Sequence, residues 1–306
     1  MERPAIERQH DHGQAAVASD VSEKGVALAV ACADWHTNSK VGLNPPSLLS
    51  ELGSRYVVGK VGRALWQCWL EFCGEVQALK QQYKATVYTF LVGDLGDRNK
   101  KDPSGIITQV EAEIEDAMAE VADPIARVSD HVFVCRGTET HVGPNGRLEE
   151  WLARDLDNAE WYSDEVASWW VVDARIGGLN FQATHRPPVS GHLPWTIDQA
   201  ASRAASVVAG SYLDEARRDP SALRRMPHIC FWAHVHPPRG LQGRGMSDVW
   251  GFVLPPWQLA TSYAHHIGKG AGPRNVGGVW LLVENGSVVD WGWRQWPMRP
   301  RQAWKA

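Results

Sequence analysis

No run in this sequence is long and apolar enough to cross a bilayer. The longest, residues 25–33, falls far short of the roughly 20 residues a spanning helix needs. No basic excess is present either. The net charge of -4 leaves no positive field for non-specific duplex binding, so nucleic acid is not the expected partner, although a small phosphorylated molecule is compatible. Cysteine is scarce: five in 306 residues, an odd number with no C-x-x-C pair. Cys32, Cys135 and Cys230 lie in apolar runs and read as small buried hydrophobes of a reducing compartment. No internal repeat and no separating linker is visible. Residues 1–23 mix acids, bases and histidine without an apolar segment, so they are not expected to be a signal peptide. The expectation is a soluble, cytoplasmic protein without a membrane partner. It has a flexible arm over residues 1–22 and a single domain over residues 23–306, and its oligomeric state is not readable.

Against these shortages stand 16 tryptophans, beside only six tyrosines and six phenylalanines. Trp280, Trp291, Trp293, Trp296 and Trp304 cluster late, with arginines between them. Hairpin and tail packing is the simpler account, since large aromatics mostly fill cores. An aromatic and cationic surface for bases or for a partner is the other.

Along the chain, residues 25–33 form a continuous apolar run of the kind found in a strand covered on both faces. Residues 61–83 carry Leu65, Trp69, Phe72, Val76 and Leu79 at helical spacing. Strands are expected over 86–92 and 130–135, with a helix over 106–121 between them. This alternation predicts a βαβ core with a parallel sheet, whose ligands lie outside the carboxyl ends of the strands. Later come a helix over 147–156, a hairpin of 169–174 with 179–183, and a helix over 197–218. Strands over 228–232 and 249–254 follow, then a hairpin of 279–283 with 287–293 turned by Asn285-Gly286. A Pro/Ser/Gly-rich loop is expected after His36, and the loops over 42–59 and 241–248 do not indicate which substrate fits.

Polar residues collect just after the apolar runs: Asp34, His36, Asp94, Asp97, Glu139, His141, His185, His234 and His236. Asp34 and His36, like His234 and His236, are two residues apart, and such residues project to one side of an extended segment. Imidazoles and carboxylates converging in this way suit two divalent cations about 3.5–4 Å apart. The mixture points to manganese, iron or zinc ahead of cations that prefer oxygen alone. Unrelated capping and loop residues are the alternative, better for any one of them than for the whole set.

The order Asp34-Trp-His36, Gly93-Asp-Leu-Gly-Asp97, a third block at Gly137, a lone His185 and Ala233-His-Val-His236 resembles the calcineurin-like metallophosphoesterase superfamily. The resemblance runs from about residue 25 to 238. It implies an α/β (α+β) fold, a four-layer sandwich of two mixed β-sheets flanked by helices. It also implies two divalent metal ions, manganese first, with iron, zinc or magnesium as alternatives. Carried over, Asp34, His36 and His236 hold one metal, Asp94 bridges, and His185 with His234 holds the other. The third block departs from the family's Gly-Asn-His-Asp/Glu. Here Gly137-Thr-Glu-Thr-His141 places Thr138 at the position of the asparagine ligand, a variant similar to phage- and prophage-encoded members. Glu139 or Thr138 is then expected to replace that ligand, Glu139 by preference because a carboxylate binds a cation more strongly. His141 takes the general-acid role, with Glu139 able to act catalytically instead. Arg98 and Arg136 resemble the phosphoryl-gripping arginines of the protein Ser/Thr phosphatase branch, and Arg186 is a third candidate. Asp97 is expected to support a ligand rather than bind metal. The function implied is a metal-dependent phosphoester hydrolase acting on a phosphorylated small molecule, a phosphodiester or nucleotide-like substrate. A protein-phosphatase-like monoesterase, a nuclease of the same superfamily and a non-catalytic scaffold are the rivals.

Overall fold

The computed structural model describes residues 25–50, 53–99, 105–189, 199–261 and 274–298. The expected arm over residues 1–22 and Trp304 lie outside the described residues. Among the described residues the fold is mixed α and β, with six helices and three sheets.

The first half builds the parallel core that the alternation predicts. Strand β1 (Ala27–Cys32) is buried along its whole length. A small antiparallel hairpin follows, β2 (Ser47–Ser50) with β3 (Ser54–Val57), where only a Pro/Ser/Gly-rich loop is expected. Helix α1 (Lys60–Tyr83) ends with Lys84 in the left-handed region, and β4 (Thr86–Val92) pairs parallel with β1. Helix α2 spans Glu111–Ala126, five residues later than expected. Its entry is delayed because the Thr108 amide donates to Asn38 Oδ1, and Ile106 bridges Ser39, which holds residues 106–110 as a loop. Strand β5 (His131–Cys135) adds parallel to β4. One helical turn, α3 (Glu139–Val142), and then α4 (Arg147–Asp155) follow.

The second half forms another five-stranded sheet. Strands β6 (Val172–Ile176) and β7 (Leu179–Ala183) make the expected hairpin on Gly177 and Gly178, both at positive φ. A two-residue turn of this primed kind matches the strand twist, and glycine takes it without cost. The hairpin starts at Val172 rather than at residue 169, for a topological reason. Trp169 still belongs to the edge of the first sheet, where its amide donates to the Val134 carbonyl and its carbonyl accepts from the Arg136 amide. Trp170 and Val171 then cross to the other sheet. Helix α5 (Ala200–Ala216), α6 (Ala222–Arg225), β8 (Ile229–Trp232), β9 (Leu241–Arg244) and β10 (Trp250–Val253) complete this half. Strand order is β6-β7-β8-β10-β9, with β8 parallel to both of its neighbours. The chain returns to the first sheet as β11 (Arg274–Glu284) and β12 (Ser287–Met298), giving the order β12-β11-β1-β4-β5.

Three apolar clusters fix the layers. One joins β1, β4 and β5 of the first sheet to β6, β7, β8 and β10 of the second. A second lies under α1, α2 and α4, and a third under α5. The late tryptophans pack, as the simpler account expects. Trp291 and Trp293 lie against Phe252, and Trp296 lies against Trp257. Trp280 donates to Glu75 on α1. All five cysteines are buried and unpaired.

Phe90 shows what joins the two sheets. Its ring lies 5.1 Å from Phe133 on its own sheet, and 5.9 and 5.3 Å from Phe181 and Phe231 on the facing one. Truncation leaves a cavity that neither sheet can close alone. Phe90→Ala is expected to cost about 3–5 kcal/mol in urea unfolding, and a loss below about 1 kcal/mol would show that the sheets are not held together there.

Candidate metal centre

The predicted site residues converge where the strands of both sheets end, but not by the route the spacing suggests. Asp34, His36, Asp94, His234 and His236 all have positive φ, between 44° and 67°. The side chains are therefore aimed by left-handed turns just beyond the strands, and the i, i+2 projection of an extended segment does not apply. Such backbone is uncommon outside glycine, though Asp and His adopt it more readily than most residues, and here the surroundings reinforce it.

The enforcement is visible. Past the ends of β1 and β4 the two loops stay zipped together. The Asp34 amide donates to the Gly93 carbonyl (3.0 Å), His36 to Asp94 (3.0 Å), Thr37 to Leu95 (3.0 Å) and Asp97 back to Thr37 (2.8 Å). Asn38, fully buried, spends its side-chain amide on both loops. It donates to the carbonyls of Asp97 (2.8 Å) and Thr108 (2.9 Å) and accepts from the Thr108 amide (2.9 Å). Two glycines make room. A Cβ on Gly137 would stand 2.2 Å from Asp94 Oδ1, and one on Gly93 would stand 2.8 Å from His185 Nδ1.

Among the described residues three groups result, each with one ligand-type atom per residue and all such atoms within 4.8 Å of one another: Asp34, His36 and His236; Asp94, His185 and His234; and His36, Asp97 and His141. In the first, Asp34 Oδ1 lies 3.1 Å from His236 Nε2 and 3.8 Å from His36 Nε2, while the two Nε2 atoms stand 3.4 Å apart. In the second, His185 Nε2 lies 3.0 Å from Asp94 Oδ2. The groups adjoin: His36 Nε2 is 4.0 Å from Asp94 Oδ2, and the His234 amide donates to Asp34 Oδ2 at 3.2 Å.

Charge balance decides the protonation of these groups. Burial raises the cost of ionising Asp34, yet the His236, His185 and His36 rings beside it hold its carboxyl below the usual range. Burial likewise opposes ionisation of Asp94, and His185 above all outweighs it. Burial lowers His36, and it pulls His234 down to about 4 with the help of the neighbouring His185. His185 moves the other way. Burial disfavours its charge, but the Asp94 carboxylate overrides this and lifts it to about 9. His185 Nδ1 faces the Val92 carbonyl at 2.8 Å, which can only accept, so Nδ1 carries a proton and Nε2 is the atom offered to the site.

These residues fit a divalent cation on their own chemistry. Asp34 Oδ1 and His185 Nε2 are buried and make no well-directed hydrogen bond, their close polar neighbours being His236 Nε2 and Asp94 Oδ2 of the same groups. His36 is supported from behind, its Nδ1 3.6 Å from Asp97 Oδ2. Asp97 also takes His141 Nδ1 at 3.0 Å. Burial holds the Asp97 carboxyl up, but its bonds to His141 and His36 bring it down to about 2. His141 stands edge-on to His36, ring centroids 4.5 Å apart. Burial weighs against its charge, but Asp97 and the Asp94 carboxylate raise it above the ordinary value.

The third block is arranged differently from the preferred expectation. Thr138 is the residue that meets Asp94, by its amide at 2.6 Å and its hydroxyl at 3.0 and 3.1 Å from the two carboxylate oxygens. Glu139 opens α3, is exposed, and joins none of the three groups. The arginines are also committed. Arg98 pairs with Glu111 at 3.1 Å, and Arg136 donates to Ser168 Oγ (2.8 Å) and Glu150 (3.4 Å). Arg186 is exposed and makes no hydrogen bond or ion pair among the described residues.

The spacing gives no notice of two residues on α4. Glu149 is fully buried, accepts from the Leu95 amide (3.2 Å) beside Asp94, and is pushed well up by burial. Glu150 clips the crossing segment, accepting from the Ala167 amide (3.0 Å) and the Ser168 amide (2.9 Å). Adjacent acids on a short helix look like surface charge, and only the tertiary fold shows that they are not.

No protein-family model and no curated protein matches this chain. Among solved structures, the crystal structure of a hypothetical protein from Thermus thermophilus is similar with a TM-score of 0.35 and 11% identity, over 90% of this chain and 100% of that one. The functional reading rests on the residues of this chain.

Gly137→Ala is expected to displace Asp94 and weaken Mn²⁺ binding by about ten-fold or more, measured by calorimetric titration, with the far-ultraviolet circular dichroism unchanged. Unaltered affinity would mean that the close approach is not needed. Glu150 yields a pH prediction. Burial opposes its ionisation, but its bonds to Ser168 and Ala167 bring it down to about 2 from an ordinary 4.5. Its stabilisation is complete above pH 4.5 and is lost as pH falls toward 2. Glu150→Gln removes that titration, so melting temperature should fall less steeply across this window than in the parent chain.

Proposed function

We propose that this chain is a metal-dependent phosphoester hydrolase of the calcineurin-like metallophosphoesterase type, acting on a phosphodiester or nucleotide-like substrate. The observation that carries this reading is the pair of adjoining groups, Asp34/His36/His236 and Asp94/His185/His234, at the strand ends of two facing sheets. The apolar cluster between the sheets, and those under the helices on either outer side, support the four-layer sandwich of that superfamily.

In this reading Asp34, His36 and His236 hold one divalent cation and His185 with His234 holds the other. Asp94, reached from both groups, lies between them. When bound, two such cations polarise a phosphoryl oxygen and lower the pKa of an attacking water. The chain's own residues do the rest. Thr138 fixes both Asp94 oxygens, and the Val92 carbonyl fixes the His185 tautomer. Asp97 orients His141 through Nδ1, which leaves Nε2 to donate a proton to the departing alkoxide. A monoesterase that grips phosphate through Arg98 and Arg136 is less well supported, because both guanidinium groups already face carboxylates.

The test is hydrolysis of bis-p-nitrophenyl phosphate and p-nitrophenyl phosphate by chelator-treated protein with Mn²⁺ restored. Turnover is expected only with metal, with the diester preferred. It should fall by at least about 10³-fold in His234→Ala and Asp94→Ala, as for loss of a catalytic metal's function. Metal-independent turnover, or full activity in both variants, would sink the proposal.

A further inference from the structure

A cavity of about 470 Å³ opens beside His185 and adjoins the second ligand group through that residue. Its wall includes Trp170, Arg136, Arg186, Thr184, Glu139 and His185. We propose that it is a nucleobase subsite, in which a planar base stacks on Trp170 and the attached phosphate points back toward His185.

Trp170 is the first argument. Its neighbour Trp169 is buried, whereas Trp170 is 52% exposed at the cavity wall, an unusual position for the largest side chain in a protein. The second argument is that this exposed ring is held in place. The Arg136 guanidinium stacks on it, 5.1 Å from the ring centroid, and is itself fixed by Ser168 and Glu150. Glu150 in turn accepts from the Ala167 and Ser168 amides, which lead directly into Trp170. Preorganisation of this kind spares the ordering cost of a binding surface. A rigid aromatic face beside a cation accepts any base by its π-face, and stacking contributes substantially to affinity. The remaining wall is suited to the rest of a nucleotide. Thr184 and Glu139 offer hydrogen-bonding groups for a base edge or a sugar hydroxyl. Arg186, one residue from His185 and without an ion pair among the described residues, offers its guanidinium to a phosphoryl oxygen. The volume falls within the range of about 300–1,000 Å³ that holds small ligands.

The phosphate end of this assignment rests on the phosphoesterase reading; the base end does not. The test is calorimetric titration of the full-length chain with adenosine monophosphate and with ribose 5-phosphate, which carries an anomeric hydroxyl in place of the base. Adenosine monophosphate is expected to bind about ten-fold or more tightly. Trp170→Ala should erase that difference, Trp170→Phe should keep most of it, and ribose 5-phosphate should bind all three proteins alike. Equal affinity of the two ligands, no binding of either, or a preference that survives Trp170→Ala overturns the subsite. Mn²⁺-dependent turnover is scored separately. A base preference without turnover sinks the hydrolase and leaves the subsite, and turnover without a base preference does the reverse.

Discussion

Two carboxylates buried where the sheets meet set the terms for everything near them. Asp34 is wholly buried and Asp94 is 2% exposed, so neither can rely on water to balance its charge. An uncompensated buried charge costs several kcal/mol, and the compensation here comes from imidazoles on both sheets. Their responses are unequal. His185 and His141 gain affinity for a proton, while burial drives His36 and His234 toward the neutral form. Two ionised carboxylates therefore face rings of which only some take up a proton, and the remaining ring nitrogens carry lone pairs. That imbalance is the physical basis for expecting cations.

Holding such groups together requires backbone that no regular element supplies. Five of the six ligand-type residues in the two adjoining groups sit in left-handed turns. The loops bearing them are tied to each other rather than to solvent, through the amide ladder from Asp34 to Asp97 and through Asn38. Glycine serves the same end at Gly137, where the backbone just past β5 runs against Asp94. Rigidity is thus concentrated at the loops, and the strands beneath act as the base that fixes their spacing.

How much of this is legible beforehand follows from which signals are local. Continuous apolar runs locate β1, β4 and β8 to within about two residues, because a strand buried on both faces needs nothing else. The two hairpins are legible from Gly177-Gly178 and Asn285-Gly286, whose turn chemistry is local. Periodicity starts helix α2 five residues early, since its true start depends on Asn38, far away in sequence. The site residues gather at strand ends as expected, but turns replace the expected pleat geometry. Glu149, Glu150 and Trp170 give no sign, because an acid on a helix or an aromatic before a strand acquires its role only from what lies opposite. Strand β9 and the β2–β3 hairpin stay hidden because both are short and their composition is mixed.

The Asp34 carboxylate and the His234 amide that donates to it are 200 residues apart. During synthesis the chain is therefore complete through β1, β4 and β5 long before the last imidazoles leave the ribosome. Until then His185 and His236, the imidazoles that do most to hold these acids ionised, are missing. The first sheet is itself finished only by β11 and β12, which follow the whole second sheet, so the burial of Asp34 and Asp94 draws on both ends of the chain.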